Sequence, residues 1–191
     1  MGGPPGQMGG PPGPCLAVID MQRVFAEPDS AWLAPHFGDI IEPVGKLVEA
    51  FRPNVVFTRF IAPAEPYGSW RDYYQAWPFA LQPPDADIYQ LVDEFAAWSG
   101  QTLDAVTFSK WGPELRGHVR SGGGRLVLAG VATDCCLLST AVAAADEGVY
   151  VQVVEEACAG ATEDSHRNAL DILRTYAPLI EVVGLADILG G

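Results

Sequence analysis

Cys15-Leu-Ala-Val-Ile-Asp20 is a short, unbroken apolar run that ends in a carboxylate. A strand covered on both faces reads this way, without the polar alternation of a half-exposed one. Working outward, a helical stretch near Ile40 to Phe51 comes next, followed by Asn54-Val-Val-Phe-Thr58 as a second strand. Strand, helix, strand in that order implies a parallel pair. The same grammar continues, with strands expected at Ala105–Ser109, Arg125–Ala129, Tyr150–Val154 and Ile180–Val183. Helices are expected at Asp85–Trp98, Cys136–Glu147 and Glu163–Tyr176, the last with Thr162 as its N-cap and two acids in its first turn. Six strands alternating with helices predict an α/β protein: a three-layer, doubly wound, Rossmann-like fold around a six-stranded, mainly parallel sheet.

A chain of 191 residues with 49% hydrophobic content suits one compact domain, expected over residues 15–191. Residues 1–14 are almost entirely Gly and Pro, with little to bury and a backbone that Pro keeps from pairing, so they read as a disordered tail. The net charge of −13 repels phosphate backbones and anionic bilayers, which excludes nucleic acid and membrane surfaces as expected partners. No apolar stretch approaches the roughly 20 residues of a membrane span, and the N-terminus lacks the basic-then-apolar order of a secretory signal. A cytoplasmic location is the expectation. Cys15, Cys135, Cys136 and Cys158 have neither disulfide-scaffold density nor paired zinc spacing, so free thiols, no metal and no cofactor are expected.

In a parallel sheet, ligands sit at the carboxyl edge, where loops leave the strands. Three chemically distinct residues meet that condition. Asp20 closes the first strand, Lys110 follows the third, and Cys136 lies in Gly130-Val-Ala-Thr-Asp-Cys-Cys136 after the fourth. A thiol with a pKa of about 8.5 is mostly protonated at neutral pH, so a nucleophilic cysteine needs its anion stabilised. The dipole of a helix starting beside Cys136 and the charge of Lys110 both supply that, and a lowered Cys136 pKa is expected. Asp20 is placed to take the thiol proton and return it to a leaving amine. Backbone N–H groups of the turn, those of Ala132 and Cys136, are the expected oxyanion donors. Singly, such residues are usually a cap, a solvated cation and a structural thiol. Their joint placement on one edge of one sheet is what points to acyl transfer through a thioester.

The segments Val18-Ile-Asp-Met-Gln22, Phe108-Ser-Lys-Trp-Gly112 and Gly130-Val-Ala-Thr-Asp-Cys-Cys136 resemble the three signatures of the isochorismatase-like cysteine hydrolase family. The resemblance continues through Ser139-Thr-Ala and Val153-Val-Glu-Glu-Ala-Cys-Ala159 to His166. It implies Asp20 as general acid/base, Lys110 as its electrostatic partner and Cys136 as nucleophile, since the family's spacing places the nucleophile two residues after Asp134. It also implies a cis peptide at Val131–Ala132 and a homodimer or higher homo-oligomer. The family's nicotinamide-directed members carry an Asp-x-His metal site after the second strand. This chain has Thr58-Arg-Phe-Ile-Ala62 there, which points to the metal-independent amidohydrolase branch. Gly122-Gly-Gly124 stands where many relatives have a longer helix.

Trp70, Tyr73, Tyr74 and Trp77 fall at helical spacing after the second strand and form an aromatic stripe that lines a pocket or packs a core. With Gln22, Phe25, Phe60 and Trp111, the residues Trp70 and Tyr74 are the expected substrate contacts. His36, His118 and His166 lack metal-binding spacing, and none is assigned a catalytic role. The expected function is cleavage of the C–N bond of a small-molecule carboxamide, releasing ammonia or an amine. Vinyl-ether hydrolysis without covalent catalysis, and a non-catalytic binding member of the fold, are the competing readings.

Overall fold

A computed structural model describes residues 13–190, and the expected tail at residues 1–12 lies outside them. Gly13 is already attached to the domain, its N–H donating to the Gly122 carbonyl at 3.1 Å. Six strands form one sheet: β1 (Cys15–Ile19), β2 (Val55–Phe60), β3 (Gln101–Ala105), β4 (Arg125–Val131), β5 (Tyr150–Ala159) and β6 (Ile180–Val183). Their order is β3-β2-β1-β4-β5-β6, and every pairing is parallel. The chain builds outward from β1 to β3 on one side, then returns to place β4 on the other side of β1. The crevice between the carboxyl ends of β1 and β4 is therefore the topological switch point, where this architecture binds ligands.

The doubly apolar reading of β1 holds, because all five of its residues are buried and alternate between two cores. Leu16 and Val18 join the cluster filled by α2 (Phe37–Phe51), which contributes Phe37, Ile40, Val44 and Leu47. Cys15, Ala17 and Ile19 face the second cluster, filled by α4 (Pro113–Ser121), α5 (Leu138–Asp146) and α6 (Glu163–Arg174). Thr162 caps α6 as expected, accepting from the Ser165 N–H while Ser165 Oγ accepts from the Thr162 N–H. Short helices α1 (Arg23–Ala26), α3 (Trp70–Ala76) and α7 (Leu185–Leu189) complete the layers. Among the described residues no helix is long and apolar enough to cross a membrane.

Five features differ from the sequence expectation, the first being that β5 runs on to Ala159 rather than ending at Val154. The third strand is Gln101–Ala105 rather than 105–109. It is an edge strand in which only Leu103 is buried, so it lacks the continuous apolar run of the inner strands. Residues 85–98 form two separate 3-10 turns, Asp87–Tyr89 and Asp93–Phe95, in place of one helix. Between them the backbone bonds to the β1 loop instead of to itself: Arg23 N–H donates to Gln90 O, and Val92 N–H to Met21 O. An unanticipated helix, α4, occupies Pro113–Ser121 and ends at Gly122, whose N–H returns to His118 O. Finally, Cys136 lies inside a wide π-type turn, Thr133–Leu137, that precedes α5.

Gly130 joins β1 to β4 at the switch point. Its φ is +110°, and a Cβ there would meet the Ile19 carbonyl oxygen at 2.1 Å, a backbone atom that cannot yield. Replacing Gly130 with Ala is expected to destabilise the fold by about 3 kcal/mol or more, combining backbone strain with overpacking. A lower urea midpoint would show this, whereas an unchanged midpoint would contradict the packing described.

Candidate active site

Asp20 leaves the sheet with φ +50°, the one non-glycine residue in the left-handed region among the described residues. Asp tolerates that conformation, and here a specific partner stabilises it. Thr58 on β2 accepts from the Asp20 N–H at 3.2 Å and donates its hydroxyl to Asp20 Oδ1 at 2.7 Å. The carboxylate is thereby oriented from below. Its other oxygen, Oδ2, is fully buried, receives no well-angled hydrogen bond, and lies 3.0 Å from the Lys110 ammonium. Lys110 is as deeply placed. Its Nζ donates to Thr107 O at 3.0 Å and sits 4.8 Å over the Phe60 ring.

The loop carrying Lys110 is tied to the turn carrying Cys136 by one side chain. Thr140, in the first turn of α5, accepts from the Lys110 N–H at 2.9 Å and donates to the Cys136 carbonyl at 2.6 Å. Ser139 does the same for Cys135, donating to its carbonyl at 2.7 Å. The turn opens with a cis Val131–Ala132 peptide. The Ala132 carbonyl then accepts from both Cys135 N–H and Leu137 N–H, which removes those two donors from any role toward a ligand. Across the turn, Asp134 Oδ1 accepts from the Ala161 N–H at 2.9 Å, and Thr133 Oγ1 bonds His166 Nδ1 at 2.8 Å. His166 thus braces the turn from α6, with burial holding its pKa below the usual imidazole value.

Cys135 and Cys136 both line a cavity of about 360 Å³, with Cys136 almost fully buried and Cys135 half-buried. They titrate as a pair. The first proton leaves below the ordinary thiol value, because the resulting Cys135 anion accepts a hydrogen bond from Cys136. Cys136 is held well above that value, first by the same hydrogen bond and then by burial. Lys110 lowers and Asp20 raises both thiols, so the ion pair acts on each sulfur. The lowering expected for Cys136 alone is not found: the hydrogen bond to Cys135 and burial raise that thiol, and the first ionisation belongs to the pair. By contrast Cys15 is pushed up to about 12 by burial, the behaviour of a structural thiol.

Asp20, Lys110 and Cys136 therefore converge, with the ion pair lying behind the cavity wall rather than on its surface. Of the expected substrate contacts, Phe25 and Phe60 line the cavity. Gln22, Trp70, Tyr74 and Trp111 do not. Gln22 is wholly buried, donating to Phe60 O and Tyr89 O and accepting from Phe60 N–H, so it staples the end of β2 to the segment at residue 89. Trp70 and Tyr74 pack behind the wall, because α3 turns the opposite side of its stripe, Tyr73 and Trp77, toward the cavity. Trp111 lies on the other sheet face beside Arg116. Trp32 and Leu33 were invisible to sequence reasoning, since they sit in a loop with no periodicity. Phe108 and Asp134 stood in quoted signatures without an assigned contact. Among the described residues, no group of three or more His, Cys, Asp and Glu side chains is placed to hold a metal ion.

A family profile described as "Isochorismatase domain" matches residues 14–184. The chain belongs to the isochorismatase domain family. Its fold is shared with a cysteine hydrolase from Pseudomonas syringae pv. phaseolicola 1448A, at TM-score 0.78 and 23% identity over 91% of this chain and 89% of that one. A nicotinamidase from Bacillus subtilis superposes at TM-score 0.71 with 23% identity, over 88% and 98% of the two chains. An N-carbamoylsarcosine amidase from Thermoplasma acidophilum gives 0.72 with 22% identity, over 91% and 96%. At these identities the likeness establishes the fold. Comparison with curated protein sequences finds no match. Proteins named as amidases therefore share the fold of this member of the isochorismatase domain family.

A buried ion pair is costly to break from one side, because the surviving charge is left without compensation. Lys110→Met is expected to destabilise the isochorismatase-like domain by about 3–5 kcal/mol, and the double variant Asp20→Asn/Lys110→Met by clearly less. Urea unfolding of the three proteins decides it, and additive losses in the double variant would contradict a mutually compensating pair.

Proposed function

We propose that this isochorismatase-like protein is a cysteine amidohydrolase that cleaves the C–N bond of a small carboxamide. The observation that carries the reading is the buried Asp20–Lys110 pair, whose charges act on a thiol that opens into a cavity at the topological switch point. In this reading Asp20 Oδ2, which accepts no hydrogen bond, takes the Cys136 proton while Lys110 compensates the charge. The thiolate attacks the amide carbonyl, forming an S–C bond and a tetrahedral oxyanion. The N–H groups of Ala132 and Cys136 hold that oxyanion, the neighbouring Cys135 and Leu137 donors being engaged by Ala132 O. Protonated Asp20 returns its proton to the departing nitrogen, the C–N bond breaks, and ammonia or an amine leaves a thioester on Cys136. Water activated by the same carboxylate then hydrolyses the thioester, releasing the acid and regenerating the thiol.

Cys136→Ala is expected to lower ammonia release from any amide turned over by the wild type by at least about 10³-fold, and intact-mass analysis of the wild type during turnover should show acylation at Cys136. Full activity in Cys136→Ala would exclude covalent catalysis and favour water attack as in vinyl-ether hydrolysis.

Cys135 bears on the same chemistry. The leading cause of the high Cys136 pKa is its hydrogen bond to Cys135, so deleting that sulfur removes a raising influence. In Cys135→Ala, the pH at which iodoacetamide begins to modify Cys136, mapped by peptide mass spectrometry, is expected to fall. A rise, or no change, would show that the thiol pair is not the controlling interaction.

A further inference from the structure

The cavity wall is strongly one-sided in chemistry. Six of its fourteen lining residues are aromatic, Phe25, Trp32, Phe60, Tyr73, Trp77 and Phe108, and five more are Ala or Leu. Its one charged lining residue is Asp134, and among the described residues no Lys, Arg or His borders it. Cations elsewhere around the carboxyl edge lie outside the lining, and Arg71 on α3 donates to the Pro66 carbonyl at 3.2 Å. Lys110 is consumed by Asp20 and Thr107 O behind the wall, Arg59 by Asp104, and Arg23 by Asp87 and Asp93. A ligand carboxylate entering this space would shed its hydration with no counter-ion to replace it, and would meet the repulsion of Asp134. An uncharged apolar body meets aromatic rings and aliphatic side chains over much of the wall.

Trp32 fixes the shape of that space. It stacks on Phe25 with centroids 6.0 Å apart and an interplanar angle of 11°, and meets Tyr73 at 5.8 Å and Trp77 at 6.1 Å. Behind it, Phe79 packs edge-on at 5.1 Å. Its loop is held in place as well: Ser30 Oγ donates to Val24 O and accepts from the Trp32 N–H at 3.2 Å, while Ala34 N–H donates to Phe25 O at 2.9 Å. The cavity's 360 Å³ lies near the lower end of the ~300–1,000 Å³ typical of small-molecule sites, so displacing or keeping one indole decides what size of body fits.

From these observations we infer that the site selects carboxylate-free amides with a compact apolar body of about one ring, and that Trp32 is the residue that sets the upper limit of that body. The inference rests on the amidohydrolase reading for its chemistry, while its recognition content is testable apart from it.

The test uses Cys136→Ala protein, which cannot turn the probe over, and two isosteric probes, 4-nitrobenzamide and 4-carbamoylbenzoate, with binding followed by ligand-observed NMR. The nitro compound is expected to bind at least roughly a hundredfold more tightly than the carboxylate, the penalty for an unpaired buried anion. Comparable affinities, preference for the carboxylate, or no binding of either probe would overturn the inference. Adding Leu33→Arg, which places a cation on the wall, should shift the ratio toward 4-carbamoylbenzoate by at least about tenfold. Adding Trp32→Ala should raise the affinity of 1-naphthamide relative to 4-nitrobenzamide by a similar factor, and an unmoved ratio would remove Trp32 from the role. Ratios taken on one preparation are independent of the fraction folded. Hydrolysis of 4-nitrobenzamide by the wild type is scored separately. Tight, selective binding without turnover or Cys136 acylation would sink the amidohydrolase reading and leave the recognition inference standing.

Discussion

The Asp20–Lys110 ion pair is the constraint around which the carboxyl edge is organised. Both groups are removed from water, so each is tolerable only while the other stays within contact. That requirement reaches through the chain. Thr58 must present its hydroxyl to Asp20, Asp20 must hold its left-handed backbone, and the residues after β3 must carry Lys110 back over Phe60. Three strand ends are thereby locked to one another by polar contacts that an apolar core could not specify.

Thr140 and Gly130 extend this lock to the turn that carries Cys136. Thr140 bonds the Lys110 backbone and the Cys136 carbonyl at once, so the height of the ammonium and the position of the thiol are not independent. Gly130 lets β4 approach Ile19 at a distance no side chain would allow, which brings the turn beside Asp20. Asp134 and Thr133 then hold the far side, through Ala161 and His166. The cavity in front of these polar contacts has an aromatic wall supplied by the Trp32 loop and α3.

Much of this was legible in the residues alone, for physical reasons. The buried β1 run, the helix periodicities and the Thr162 cap are local signals, and local hydrogen bonding and burial decide them. Asp20, Lys110 and Cys136 could be gathered because a parallel sheet places every loop of one kind on one edge. Local signals failed where partners far away in sequence competed for the backbone or the side chain. Residues 85–98 surrendered their helix to hydrogen bonds with Met21 and Arg23, and β3 became a strand through pairing with β2 rather than through its own composition.

Sequence by itself thus determined the architecture and the edge on which Asp20, Lys110 and the Cys135–Cys136 pair gather, because these follow from periodicity, chain order and residue chemistry, while the choice of Cys136 over Cys135 came from the family resemblance. Only the tertiary structure decided which face of the aromatic stripe meets the cavity, that Gln22 is a staple and that Trp32 forms a wall. Those depend on helix rotation and on contacts between segments tens of residues apart, and no spacing along the chain encodes such contacts.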